Sequence, residues 1–432
     1  MENIMVQKND SFIKKNYLYI AFTVGLICIF GLENKATLIV SIGIIVIAMF
    51  FSSNENRFCW SLLLVPNIRI YDELGSMALV NILLCVPFLF YFTKKMTSSK
   101  INNIPIVIGA FMFMIEYLHI ISSNESVTSL CGWVLAFLWC CYVTLDENVQ
   151  LDKSDAVYAL SFGIIISAAI YLVNNPWFTS DIINKVAAGN RFKAYAGDPN
   201  YYSLYICIAL SGIVIKHNLK ITDYILMFIL ICIGFMTASK MCFLLMSLNL
   251  LYLLFKMISG TKKFIRNMII LILCLIAVYM LRNIISQFIA NLSKRAGGNN
   301  RDLNRLTTGR YGLFMEYINL LFNDIFLFMF GKGFPYNFYV KNMPINVAHN
   351  TFLDFILAWG IFGSLFLFCS IGYWFKKYKN KLKAVRYTKN SKFPFIVLMI
   401  SWNALSCFSA GMFFFVITYC LLQLEPSTIT TE

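Results

Sequence analysis

Apolar residues along this chain come in long uninterrupted blocks rather than at alternate positions. The blocks cover residues 17–32, 36–51, 57–70, 76–92, 104–121, 129–145, 156–173, 200–215, 222–237, 240–256, 267–285 and 350–375, and a last run covers 394–424. A helix needs about 20 apolar residues to cross a hydrocarbon core about 30 Å thick, and most of these blocks approach that length. Inside lipid each backbone amide must find its partner within the protein, which leaves helices or closed barrels. Barrel strands alternate apolar and polar positions, and these blocks do not. The pattern predicts an all-α polytopic integral membrane protein with about 12 to 14 transmembrane helices. The shortest block, 57–70, holds Pro66, and the last run is long enough for one tilted span or two short ones around Ala410-Gly411. No repeat, glycine-serine linker or low-complexity tract divides the chain, so residues 1–432 read as one membrane domain.

Composition points the same way. With 59% hydrophobic residues, 13% charged and 40 phenylalanines in 432, the chain carries more apolar surface than one soluble core can hide. Lys8, Lys14 and Lys15 precede the first block like a signal sequence, but no small-residue cleavage site follows, so it is expected to stay as a span. The thirteen cysteines all lie in apolar blocks and read as small packing residues, with no CxxC ladder for zinc or disulfides.

Charge then orients the spans. The loop 376–393 has Lys376, Lys377, Lys379, Lys381, Lys383, Arg386, Lys389 and Lys392 with no acid, and lysine-rich short loops stay in the cytoplasm. The turns with Lys216 and Lys220, and with Lys256, Lys262, Lys263 and Arg266, agree in parity. Three connections become external: 174–199, the turn at Ser239-Lys240, and the large loop 286–349. That loop holds Lys294, Arg295, Arg301, Arg305, Arg310, Lys332 and Lys341 against Asp302, Glu316 and Asp324. Topology explains basic residues inside but not this excess outside. An anionic ligand would, since arginine forms bidentate bonds to phosphate oxygens.

Four short segments carry candidate chemistry on that face. Arg191, Lys193 and Asp198-Pro199-Asn200 close the loop before 200–215; Asp198 and Pro199 alone make a good helix start, but Arg191 and Lys193 fall before it. Ser239-Lys240 is a tight external turn whose lysine either snorkels to the interface or meets a ligand. Thr308-Gly309-Arg310 opens an amphipathic stretch of about 310–330 that would lie along the outer surface, and Gly331-Lys332-Gly333 ends it as a plain turn or a phosphate cradle. Last comes His349-Asn350, at the mouth of an apolar block with Gly360 and Gly363 beyond, placed there to permit close helix approach. Of the other histidines, His217 sits in a cytoplasmic turn, and His119 shares a helix face with Glu116.

This series resembles the bacterial O-antigen ligase and Wzy-type O-antigen or capsule polymerase superfamily of membrane glycosyltransferases. The likeness rests on Arg191 with Gly197-Asp198-Pro199-Asn200, Ser239-Lys240 with Leu244, Thr308-Gly309-Arg310, Gly331-Lys332-Gly333, and His349-Asn350 with Gly360 and Gly363, in that order over about 190–365. The family often has arginine after the serine where this chain has Lys240, which keeps the charge and loses the fork. The resemblance implies a GT-C-like membrane enzyme of the bacterial inner or plasma membrane, working at the external or periplasmic face. It would be a metal-independent inverting glycosyltransferase without cofactors. The expected activity is polymerisation of undecaprenyl-pyrophosphate-linked repeat units: an acceptor hydroxyl attacks the donor anomeric carbon and undecaprenyl pyrophosphate leaves. Arg191, Arg310 and His349 would be catalytic. Arg191, Lys193, Lys240, Arg305, Arg310 and Lys332 would bind pyrophosphate, with Asp198, Asn200 and Asn350 in support. His349 would either take the acceptor proton or bond the pyrophosphate, and Asp198 is a rival base.

Partners expected are the lipid-linked oligosaccharide, membrane lipid, and chain-length, flippase or export proteins, with no nucleic acid. A ligase that moves finished glycan to another acceptor fits the same motifs. A flippase or transporter fits less well, because it would place ionisable groups at mid-membrane, where this chain has chiefly Glu116 and Asp354.

Overall fold

The computed structural model describes residues 11–74, 77–96, 103–123, 127–146, 149, 151–187, 190–216, 218–259, 286, 290, 309–333, 348–382, 392–407 and 411–424. The block 267–285, Lys294, Arg295, Arg301, Arg305, Thr308, Lys341, His217, Lys383, Arg386 and Lys389 lie outside the described residues. Every regular element among the described residues is a helix. In chain order these are α1 (Phe12–Phe30), α2 (Lys35–Phe51), α3 (Asn54–Leu64), α4 (Met77–Met96), α5 (Ile104–Ser123), α6 (Val127–Leu145), α7 (Lys153–Asn174), α8 (Pro176–Thr179), α9 (Ile182–Ala187), α10 (Pro199–Val214), α11 (Ile221–Met236) and α12 (Lys240–Ser259). Then follow α13 (Arg310–Asn323), α14 (Ile325–Phe330), α15 (Thr351–Lys381), α16 (Phe393–Trp402) and α17 (Val416–Leu422).

Short polar side chains start many of them. Asn34, Ser53, Asp152, Asp198, Asp324 and Asn350 each accept a hydrogen bond from an N–H of the following first turn, which the helix itself leaves unpaired. Among the described residues four helices are long and apolar enough to cross a membrane: Phe12–Phe30, Lys153–Asn174, Lys240–Met257 and Thr351–Lys381. The outer surface suits lipid. Ile29, Phe51 and Phe255 are each over 70% exposed, whereas Ser41, Ser161, Ser203, Ser211 and Thr144 are fully buried. A helical bundle in lipid gains nothing by hiding apolar side chains and packs through small and hydrogen-bonding residues.

At the centre stands α10, buried at every residue from Tyr202 to Val214 and packed by α7, α11, α12, α16 and α17. The block 57–70 is not one α-helix. α3 stops at Leu64, just ahead of Pro66, and a 3₁₀ segment runs from Val65 to Leu74. Gly163 lets this corner approach α7 closely, since a Cβ there would strike the Leu63 carbonyl. Asn67 Nδ2 then donates to both Leu63 O and Gly163 O at 2.8 Å, and Ser167 Oγ donates to Pro66 O at 3.0 Å. The stretch 310–330 is divided at Asp324 into α13 and α14, with Leu313, Tyr317 and Leu321 buried and Phe322 and Phe326 exposed. The last apolar run breaks after Trp402 into a turn over 403–407, and helix resumes through a π-turn, Gly411–Phe415, that leads into α17.

α15 is the longest element and links the two ends of the bundle. At one end Asn350 caps it; at the other Lys381 Nζ donates to the carbonyls of Thr144, Asp146 and Val149 at the close of α6, where the helix dipole favours a cation. Between them Gly360 has φ 65° and ψ −177° and kinks the helix.

Candidate functional site

The loop before α10 is built around Arg191. Its Nη2 donates to Asn200 Oδ1 at 2.7 Å and its Nε to Thr237 O at 3.4 Å, while Phe192 N–H donates to Met236 O at 3.1 Å. Ser239 Oγ donates to the same Asn200 Oδ1 at 2.8 Å and accepts from Cys242 N–H at the start of α12. The sequence segments 191–200 and 239–240 thus form one polar cluster that ties α10, α11 and α12 together. Lys240, the first residue of α12, stands half-buried beside the cluster, and Lys193 is exposed. Asp198 caps α10 by accepting from Asn200 N–H at 2.7 Å, with Pro199 at the first helical position.

The second half is assembled by the turn 403–407, whose carbonyls the ending of α16 leaves without helical donors. Arg310 Nη1 donates to Ala404 O at 2.6 Å, Thr351 Oγ1 to Leu405 O at 2.6 Å, and Asn350 Nδ2 makes a long contact to Asn403 O at 3.5 Å. Thr351 Oγ1 also accepts from Cys407 N–H at 3.1 Å. Among the described residues the bond to Ala404 O is the one hydrogen bond of the Arg310 guanidinium. Gly309 supplies the left-handed backbone, φ 82°, that leads into α13. Asp354, fully buried, accepts from Ala348 N–H at 3.0 Å, and Asn350 Oδ1 accepts from Leu353 N–H at 3.1 Å, so the turn carrying His349 is held from both sides.

These halves meet. Asp198, Arg310 and His349 lie within electrostatic reach of one another. Burial lowers the basicity of Arg310, and Asp198 opposes that shift. The His349 imidazole is also held below its ordinary value, first by burial and then by the Arg310 charge, again with Asp198 opposing. The imidazole is half-buried and has no hydrogen-bond partner among the described residues. Backbone strain marks the same places. The non-glycine residues with positive φ among the described residues are Ala194, Ala238 and His349, at 43°, 48° and 54°. Such conformations persist where surrounding contacts impose them and gather at functional sites.

One contributor was missed by sequence reasoning. Arg69, in the 3₁₀ segment, lies so close to Gly197 that a Cβ there would overlap its guanidinium, and it is within electrostatic reach of Tyr201 and Tyr205 on α10. The corner held by Asn67 and Ser167 aims it there, and Ser167 Oγ also accepts from Tyr195 N–H at 3.2 Å. An arginine inside an apolar block is itself a functional signal, and it was available at position 69.

Gly331-Lys332-Gly333 lies elsewhere. Lys332 N–H donates to Leu357 O at 3.0 Å and Gly333 N–H to Ala358 O at 2.6 Å, beside the Gly360 kink, roughly 14 Å along α15 from its start. These amides are satisfied by carbonyls that the kink releases and do not form an empty cradle. Gly360 in turn has no room for a Cβ against the Met329 carbonyl. Glu116 accepts from Trp359 Nε1 and His119 Nε2 lies 3.1 Å from Phe330 O, so both brace this crossing. Comparison of the chain with protein-family models, with curated proteins and with solved structures finds no match.

Proposed function

We propose that the chain is a membrane polysaccharide polymerase. It joins undecaprenyl-pyrophosphate-linked repeat units at the external face, with the reaction centred on Arg310, His349 and Asp198. One observation carries the reading: three polar groups far apart in sequence converge at the mouths of α10, α13 and α15, and among the described residues most donors of a half-buried arginine are unspent.

In this mechanism the acceptor hydroxyl oxygen attacks the donor anomeric carbon. The bond from that carbon to the pyrophosphate oxygen breaks and its electron pair leaves with the phosphate. Arg310, already oriented by Ala404 O, donates its remaining N–H groups to the leaving pyrophosphate. A fixed cation facing the charge that develops is worth most where water is excluded. Arg69 adds a second cation beside Gly197, and Arg191 holds the loop that carries Asp198. His349, kept neutral by burial and by Arg310, takes the hydroxyl proton; Asp198 offsets the imidazolium that results.

The test is the lipid-linked intermediate left in a strain lacking the gene. Loss of a polymerase leaves single repeats on the lipid carrier. Long unattached chains would make the protein a ligase instead, and an intermediate confined to the inner leaflet would make it a transporter.

A further inference from the structure

A cleft of about 610 Å³ adjoins the site through Arg69 and Gly197. Its volume lies within the range of small-molecule sites, about 300–1,000 Å³. Its walls come from the ends of α1 and α7 and from the loop before α10. The polar groups facing it are of both kinds. Arg69 and Lys193 are donors, and Glu33 is an acceptor; none of the three makes a side-chain hydrogen bond among the described residues. Asn174 and Asn175 each use one Nδ2 hydrogen on their own helix, donating to Ile170 O at 2.9 Å and Tyr171 O at 2.8 Å, and each has a second N–H donor and an Oδ1 acceptor besides. Tyr171 and Tyr195 add aromatic faces, their centroids 5.7 Å apart, and the buried Tyr195 hydroxyl has no partner among the described residues.

This mixture separates ligand classes. An ionised phosphate accepts and carries negative charge, so the Glu33 carboxylate would oppose it. A sugar offers hydroxyls that donate and accept at once, and its C–H faces lie on aromatic rings. We infer that this cleft binds a hydroxyl-rich oligosaccharide and is the acceptor-glycan subsite, from which the attacking hydroxyl reaches past Gly197 toward Asp198 and His349. Arg69 belongs to both chambers and sets the boundary between them. The inference rests on the proposed glycosyl transfer for its acceptor role, whereas glycan binding stands on the cleft alone.

The test uses full-length protein purified in detergent and, as probe, the lipid-free repeat oligosaccharide released from the host's lipid carrier by mild acid. Binding is measured by thermophoresis, with inorganic pyrophosphate and glycerol phosphate as competitors. Wild type should bind saturably, and neither competitor should displace the sugar. The variant Glu33→Ala/Lys193→Ala, altered at two exposed positions, should weaken binding at least about 10-fold. Tyr195→Leu removes one of the two aromatic faces and should weaken it about 3- to 10-fold. Absence of saturable binding, unchanged affinity in both variants, or displacement by either phosphate would overturn the inference. If wild type binds glycan through the cleft yet makes no polymer from lipid-linked repeats, the cleft stands and the polymerase reading falls. If polymer forms while both variants bind glycan normally, the polymerase reading stands and the cleft falls.

Discussion

At the scale of single residues, the proposed reaction gives some groups to the ligand and leaves others to hold them in place. On the proposed mechanism Arg310→Ala removes the cation that faces the leaving group, and it should lower turnover by about 10²–10³ with normal expression. Arg310→Lys keeps the charge but not the fork, and should recover only part of that loss. His349→Ala should cost about 10²–10⁴ if the imidazole is the base. Because a base works unprotonated and His349 is held below the ordinary value of 6.5, activity should be retained above that pH. It should fall on the acid side with a midpoint below 6.5. A midpoint above that value would contradict the lowered basicity of His349 in this site. Thr351→Val tests holding rather than contact: its hydroxyl serves Leu405 O and Cys407 N–H, and its loss should cost about 1–3 kcal/mol of stability.

At the scale of elements, the spacing from His349-Asn350 to Gly360 has a physical meaning. Asn350 starts a helix, and Gly360 bends it where α14 crosses. Gly360→Ala puts a methyl into the Met329 carbonyl at positive φ, and should cost about 1–3 kcal/mol or more. A thermal-shift assay in detergent measures this, and an unchanged midpoint would contradict the crossing. Helix existence was legible from apolar blocks, and helix starts from Asp198-Pro199 and His349-Asn350, because caps are local chemistry. The corner at Pro66 was not legible as an element of the site. Its purpose depends on Gly163 and Ser167, about a hundred residues away, which no local pattern connects to Arg69. Gly331-Lys332-Gly333 shows the converse: its pattern admits a phosphate cradle, but its amides are occupied by the kinked helix.

At the scale of the whole molecule, lipid as solvent explains why the polar groups are gathered where they are. Exposed phenylalanines cover the flanks and buried serines stitch the interior, so charged groups are tolerable chiefly at the helix ends. One end holds Arg69, Asp198, Arg310 and His349, and the other holds Lys379 and Lys381. With the basic end in the cytoplasm, a thiol introduced by Lys193→Cys should react with impermeant reagent added outside, and one from Lys379→Cys only after the membrane is opened. The reverse pattern would invert the topology and remove the external site. The central claim is that this end transfers glycans. Its most direct test is purified protein incubated with lipid-linked repeats in detergent, the products resolved by chain length. The account predicts a ladder of long chains from wild type and single repeats only from Arg310→Ala; single repeats from wild type, or an undiminished ladder from the variant, would contradict it.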